Sequence, residues 1–313
     1  MRRRTYNQQI AAPGKYIIIK GNVQTYISND YGKTWRENLY LAHGYSCSGM
    51  SGNGQIQLIA IFGVTKISND FGNNWNDFTA LDAFYGTAIS FTGNILIRCN
   101  ENAIYISRDY GKTYSIDCKA KISQMAPNHN IAISHNNKRL YAAGGQLILV
   151  SDASTKIWNV SEIWNSYSSR YAEYVKSVAI TDDGETMYAN IDNNLFKYNI
   201  SVDQWEIVAI GFFNYCFVSG GIAISSHGQY IMLDNGGSDI SSSSDYGVTW
   251  TSHRFAGSTY VRNIRKLVMS SNGQVRMVLG EDNNISYSTD FGKNWQSMSV
   301  PSINIVNIST NII

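Results

Sequence analysis

Short apolar runs alternate with clusters of Asn, Asp, Ser and Gly along the whole chain. Ser270-Ser271-Asn272-Gly273 leads into an apolar run at 275–279, then a polar break, then a second run at 285–288. Ser51-Gly52-Asn53-Gly54 leads likewise into 56–61, and Thr181-Asp182-Asp183-Gly184 into Met187-Tyr188-Ala189. Short β-rich runs punctuated by turn residues predict antiparallel strands. Each unit therefore reads as strand A, turn, strand B, turn, strand C, an Asp-containing turn and strand D.

The turn between strands C and D carries a phrase. Its full form, Ser-x-Asp-x-Gly-x-x-Trp, stands at 28–35, 68–75, 243–250 and 288–295, and 107–114 keeps all but the indole. Two copies are eroded. The one at 151–158 lacks Asp and Gly in register, and 198–205 keeps little beyond its Trp. The closing aromatics fall at 35, 75, 114, 158, 205, 250 and 295, in steps of 40, 39, 44, 47, 45 and 45. A period of that size means an array or a propeller. Six of the seven tryptophans occupy this position, and Trp164 alone does not.

The phrase needs no ligand to explain it. Asp30, Asp70, Asp109, Asp245 and Asp290 are expected to accept hydrogen bonds from N–H groups of their own turns. Trp35, Trp75, Tyr114, Trp250 and Trp295 each bring a large apolar surface. Hairpins spread around a ring cannot converge on one catalytic centre. One carboxylate per phrase also falls short of the several oxygens that a hard cation requires. No metal and no cofactor is expected.

The phrase resembles the Asp-box, or bacterial neuraminidase repeat. That family includes sialidases, sortilin-type receptors, xyloglucan-cleaving glycosidases and a photosystem assembly factor. The resemblance spans the chain and implies a β-propeller. It is specific for the hairpin and says little about activity, because unrelated activities share it. Sialidase propellers of the family have six blades. This chain counts seven, as do the assembly factor and each half of the xyloglucan enzymes. The fold expected is all-β: a seven-bladed propeller with four antiparallel strands per blade.

The two ends of the chain are complementary. Residues 13–15 enter at an A–B turn, so the first unit lacks strand A, and residues 16–20 read as its strand B. After strand D at 296–300, the surplus segment 303–309 matches a strand A and should complete the first blade. Such closure leaves no long unpaired edge between the ends. Dividing 313 residues by seven gives about 45 per unit, matching the period. Residues 1–313 are thus expected as a single domain, with 1–12 as a flexible arm.

Composition excludes several classes. The net charge is +2, from 25 Lys and Arg against 23 Asp and Glu, so no nucleic-acid partner is expected. No apolar stretch approaches the roughly 18 residues of a membrane span. No secretory signal follows Arg2-Arg3-Arg4, which favours an intracellular location. Cys47, Cys99, Cys118 and Cys216 fall in different units without metal-type spacing, so separate reduced thiols are expected. The chain is expected to be a monomer.

The D–A connections are long and rich in Tyr and Arg, residue types enriched at binding surfaces. The candidate ligand-binding residues are Trp164, Tyr167, Arg170, Tyr171, Tyr174, Tyr215, Arg254 and Tyr260. Packing between blades competes for any one aromatic. Evidence for catalysis is thin. The sialidase Arg-Ile-Pro motif is absent, since Pro13, Pro127 and Pro301 are the only prolines. No Gly-x-Ser-x-Gly phrase, phosphate loop or dinucleotide fingerprint occurs. The function expected is a non-enzymatic scaffold holding a protein or glycan, with an Asp-box glycoside hydrolase, sialidase-like or other, as the alternative.

Overall fold

The computed structural model describes residues 14–21, 24–40, 46–61, 64–79, 86–99, 103–119, 130–144, 147–152, 157–160, 175–191, 194–209, 221–235, 239–255, 264–280, 283–303 and 305–311. The arm expected at 1–12 lies outside them. All the regular structure in these segments is β-strand.

Blade I contains β1 (Ile17–Gly21), β2 (Gln24–Ser28) and β3 (Arg36–Tyr40). Blade II is β4 (Ser46–Met50), β5 (Gln57–Ile61), β6 (Val64–Ser68) and β7 (Asn76–Thr79). Blade III is β8 (Gly86–Ile89), β9 (Leu96–Cys99), β10 (Ile104–Ser107) and β11 (Ser115–Cys118). Blade IV is β12 (Asn130–Ile133), β13 (Arg139–Gly144), β14 (Leu147–Asp152) and β15 (Trp158–Val160). Blade V is β16 (Val175–Ile180), β17 (Thr186–Ile191), β18 (Asn194–Asn199) and β19 (Gln204–Ala209). Blade VI is β20 (Ile222–Ile224), β21 (Ile231–Asp234), β22 (Asp239–Ser243) and β23 (Thr251–Arg254). Blade VII is β24 (Ile264–Met269), β25 (Arg276–Gly280), β26 (Ile285–Ser288) and β27 (Gln296–Met298). The last strand, β28 (Ile305–Thr310), returns to blade I and pairs with β1.

Each of these seven sheets has four strands and every pairing is antiparallel, so the chain is an all-β, seven-bladed propeller. The inner strands form a closed circuit. β28 lies against β4, β4 against β8, and so on round to β24, which lies against β28. Second strands such as β1, β9, β21 and β25 are buried on both faces. The outermost strands, such as β23 and β27, are largely exposed. The core is therefore divided between blades. Ile97, Ile104 and Ile106 of blade III share one cluster with Leu140 and Leu149 of blade IV.

Closure reproduces a turn out of two chain ends. In blade II the Gly54 N–H donates to the Ser51 carbonyl at 2.8 Å, and the Ser51 N–H to the Ile56 carbonyl at 2.9 Å. The Ile56 N–H donates to Ser51 Oγ at 2.9 Å. At the junction Asn311 takes the part of Ser51. The Gly14 N–H donates to its carbonyl at 2.9 Å, its own N–H to the Tyr16 carbonyl at 3.2 Å, and the Tyr16 N–H to its Oδ1 at 2.7 Å. An A–B turn thus exists in blade I without a peptide bond through it.

Candidate functional site

The phrase turns come first, because each holds its carboxylate in bonds of its own turn. In blade I, Ser28 Oγ donates to Asp30 Oδ1 at 2.8 Å and accepts the Gly32 N–H at 2.8 Å. Asp30 accepts the Thr34 N–H at 2.9 Å and its hydroxyl at 2.5 Å. In blade II, Asn74 replaces the threonine and donates its N–H and amide to Asp70 at 2.8 and 2.6 Å. These bonds favour the ionised form. The Thr34 hydroxyl and N–H hold the Asp30 carboxyl down to about 2, and Thr113 does the same for Asp109. The Asn294 N–H and amide hold Asp290 at about 2. Asp70 and Asp245 are lowered for the same reason, through Asn74 and Thr249.

The residue after each Asp is a bulky aromatic in the left-handed region. Tyr31 has φ 66°, Phe71 62°, Tyr110 62°, Tyr246 62° and Phe291 63°. A side chain of that size is seldom found there. Each is pinned because its N–H donates to a carbonyl of the neighbouring A–B turn, as Phe71 does to Gln55 at 3.1 Å and Phe291 to Gln274 at 2.9 Å.

A cavity of about 580 Å³ lies between blades VI and VII. It starts at the phrase end of β22 and β23 and is closed by the phrase of blade VII. The hydroxyl residues Ser242, Ser244, Thr251 and Ser252 line one wall. Thr251 donates to the Ser242 carbonyl at 3.2 Å, while among the described residues the hydroxyls of Ser242, Ser244 and Ser252 have no protein partner. Trp295 forms an aromatic floor with His253, ring centroids 5.6 Å apart, and Phe255 meets it edge-on at 5.0 Å. The indole N–H donates to the Gly292 carbonyl at 3.0 Å. Burial lowers the His253 pKa against the pull of Asp239, which favours the neutral ring.

Two cations line the groove, Arg276 and Lys293, and no carboxylate does among its described lining residues. Arg276 is 3% exposed. Its Nε donates to the Gly273 carbonyl at 3.1 Å, and its guanidinium carbon stands 5.6 Å from the Tyr230 ring centroid. Gly292 gives it room: with φ 82°, a side chain there would place Cβ 3.1 Å from Arg276 Nη1. Burial lowers the guanidinium pKa, yet a guanidinium stays charged at neutral pH. Among the described residues no carboxylate pairs with it.

A smaller cavity of about 310 Å³ sits at the channel mouth, on the face of the A–B turns, and every blade contributes to its lining. Met50, Ile89, Ile133, Ile224, Met269 and Thr310, each just before a turn, narrow it. His135 stacks on Phe91 at 3.5 Å, and its Nδ1 lies 3.2 Å from Asp182 Oδ2. Backbone bonds lace the turns together: Asn136 N–H to the Asp182 carbonyl, Asp182 N–H to Ser226, and Ser226 N–H to Ser271, at 3.1, 2.8 and 2.7 Å.

Of the sequence-derived ligand candidates, Trp164, Tyr167, Arg170, Tyr171, Tyr174, Tyr215 and Tyr260 lie outside the described residues. Arg254 is described. It ends β23 with a side chain 78% exposed, and its Nε is 3.1 Å from Asp239 Oδ1. Strand D takes up the residues that follow the closing aromatic, 36–40, 76–79 and 251–254, so the D–A connections begin beyond them. Sequence reasoning missed Arg276 and the groove. The available signal was a charged residue opening an otherwise apolar strand.

No protein-family model matches the chain. No curated protein matches it either. Solved structures match over most of its length. A structure described as YCF48 bound to D1 peptide is 17% identical, with TM-score 0.63, covering 88% of this chain and 90% of that one. A GH74 enzyme of Niastella koreensis is 14% identical, with TM-score 0.66, covering 89% of this chain and 51% of that one. A chain of a mitotic checkpoint complex is 14% identical, with TM-score 0.68, covering 88% and 84%. Likeness at this level shows the shared propeller fold. Among the described residues no helix is long and apolar enough to cross a membrane.

Proposed function

We propose that the chain is a non-enzymatic binding propeller of the Asp-box kind, holding a protein or a glycan. The observation that carries this reading is the groove between blades VI and VII. It offers aromatic rings, free hydroxyls and two cations, and no carboxylate among its described lining residues. Glycoside hydrolysis generally uses two carboxylates on either side of the bond to be broken. The phrase carboxylates are already engaged by their own turns. Two of the similar structures are a propeller bound to a peptide and a chain of a multiprotein complex, which supports binding as a use of this architecture. The GH74 structure keeps a hydrolase as the alternative.

In this reading the Tyr- and Arg-rich connections, with Trp164, Tyr167, Arg170, Tyr171, Tyr174, Tyr215, Arg254 and Tyr260, form a second binding surface at the other ends of the strands. The propeller acts as a monomer inside the cell. The test applies the pure protein to peptide and glycan arrays, with mass spectrometry of every bound ligand before and after incubation. Ligands retained unchanged support the reading. A bound glycan that is cleaved overturns it in favour of a hydrolase, and silence on both arrays overturns it outright.

A further inference from the structure

On the rung of each blade that faces the first residue of the phrase, the second strand presents one inward side chain. Those residues are Ile17, Gln57, Leu96, Leu140, Met187, Ile231 and Arg276. Five are apolar. The two polar ones do the same local job: Gln57 Nε2 donates to the Gly54 carbonyl at 3.0 Å, and Arg276 Nε donates to the Gly273 carbonyl at 3.1 Å. An amide is sufficient for that bond. Arginine adds a buried positive charge that no described carboxylate offsets. A charge withdrawn from water is unfavourable unless it is paired. This one borders an open groove with a second cation, Lys293, beside it.

We propose that this groove is a binding site for an acidic sugar. The guanidinium edge that the Gly273 bond leaves over takes the sugar's carboxylate, with Lys293 assisting from the rim. A planar fork of N–H donors suits a carboxylate. The free hydroxyls of Ser242, Ser244 and Ser252 exchange hydrogen bonds with the ring hydroxyls. The half-buried face of Trp295 receives the apolar side of the pyranose. The volume of about 580 Å³ falls in the range of small-ligand sites. A peptide is disfavoured, because the wall is short hydroxyls rather than an apolar anchor pocket, and the backbone of β22 is already paired on both edges.

The proposal rests on the binding reading above and can fail separately from it. The experiment is calorimetric titration with tri-galacturonate, with the neutral galactose trimer and with an acidic peptide. The proteins are the wild type, Arg276→Gln, Lys293→Gln and Ser252→Trp. Gln at 276 keeps the bond that Gln57 makes, so the variant should melt with the wild type. The expected result is binding of the acidic trimer that weakens about tenfold to a hundredfold in Arg276→Gln, as for loss of a charge-assisted bond. Lys293→Gln should weaken it by about threefold, more at low salt. Ser252→Trp, an exposed position that fills the groove, should abolish binding and covers the case in which Arg276→Gln does not fold. Equal affinity for the neutral trimer, no effect of Arg276→Gln or of Ser252→Trp, or preference for the acidic peptide overturns the acidic-sugar site. If array ligands are retained and none of them depends on the groove, the binding reading stands and this inference falls.

Discussion

Blades II and VII are built to one pattern and differ at the rung that faces the first residue of the phrase, Gln57 in one and Arg276 in the other. Both carry a full phrase, and both close the tryptophan N–H on the phrase glycine, Trp75 to the Gly72 carbonyl and Trp295 to the Gly292 carbonyl, at 3.0 Å each. Both have an A–B turn in which a Ser hydroxyl and an Asn amide satisfy the same N–H groups. Gln57 and Arg276 then make the same bond from the same position. Whatever the two blades share is explained by the hairpin. What blade VII adds, a buried charge beside an open groove, the hairpin does not need. In a repeat protein each blade serves as the control for the others.

The most damaging change should leave neither blade intact. β28 lies between the inner strands of blades VII and II. Truncation after Val300 removes it and exposes the edge of β1. Loss of cooperative unfolding, or aggregation, is expected by circular dichroism and size-exclusion chromatography. A truncated chain that melts like the full one contradicts the closure.

Next in size are the two tryptophans. Trp75→Ala and Trp295→Ala should each cost about 2 to 4 kcal/mol in chemical denaturation, below the figure for a fully buried ring because both are half-exposed. Their binding effects should differ, since only Trp295 floors the groove. Equal loss of binding in both variants would erase the distinction between the blades.

Smaller effects are expected from the phrase carboxylates. Asp70→Ala removes the acceptor for the Asn74 N–H, at a cost of about 1 kcal/mol, since the freed donors regain water. Acid probes the same bonds in all five phrases that keep the Asp. Their carboxyls are depressed in the folded protein, so their contribution is complete above the ordinary carboxylate range and fades as pH falls through the folded values, about 2 for Asp30, Asp109 and Asp290. Denaturation midpoints should therefore decline between about pH 4 and pH 2. A midpoint flat across that window would mean that the carboxylates do not hold the turns. Arg276→Gln should be the mildest, within about 0.5 kcal/mol of the wild type. A large loss would mean that the charge is part of the fold.

The fold was legible because its repeat is written in turn chemistry, which is local. The phrases lie at the positions the spacing gave. The surplus strand, expected at 303–309, is observed at Ile305–Thr310. Asn311 as the stand-in for Ser51 was not legible, since an Asn near a chain end has many uses and only three-dimensional closure selects this one. Arg276 was hidden for a related reason. Its neighbours Met277, Val278 and Leu279 mark a core strand, and a lone charge there reads as a variation until the seven rungs are superimposed. Along the run Ser241 to Ser244, Ser241 and Ser243 are buried, while Ser242 is half-buried and Ser244 exposed. Alternation across a pleat made one tract serve two environments.

The most direct measurement is a crystal structure of the protein grown with tri-galacturonate. The expected result is a sugar carboxylate within hydrogen-bonding distance of the Arg276 guanidinium, with a pyranose ring over Trp295 and its hydroxyls on Ser242, Ser244 or Ser252. Sugar density over the connections that carry Trp164 and Tyr171, with the groove holding only water, would contradict it.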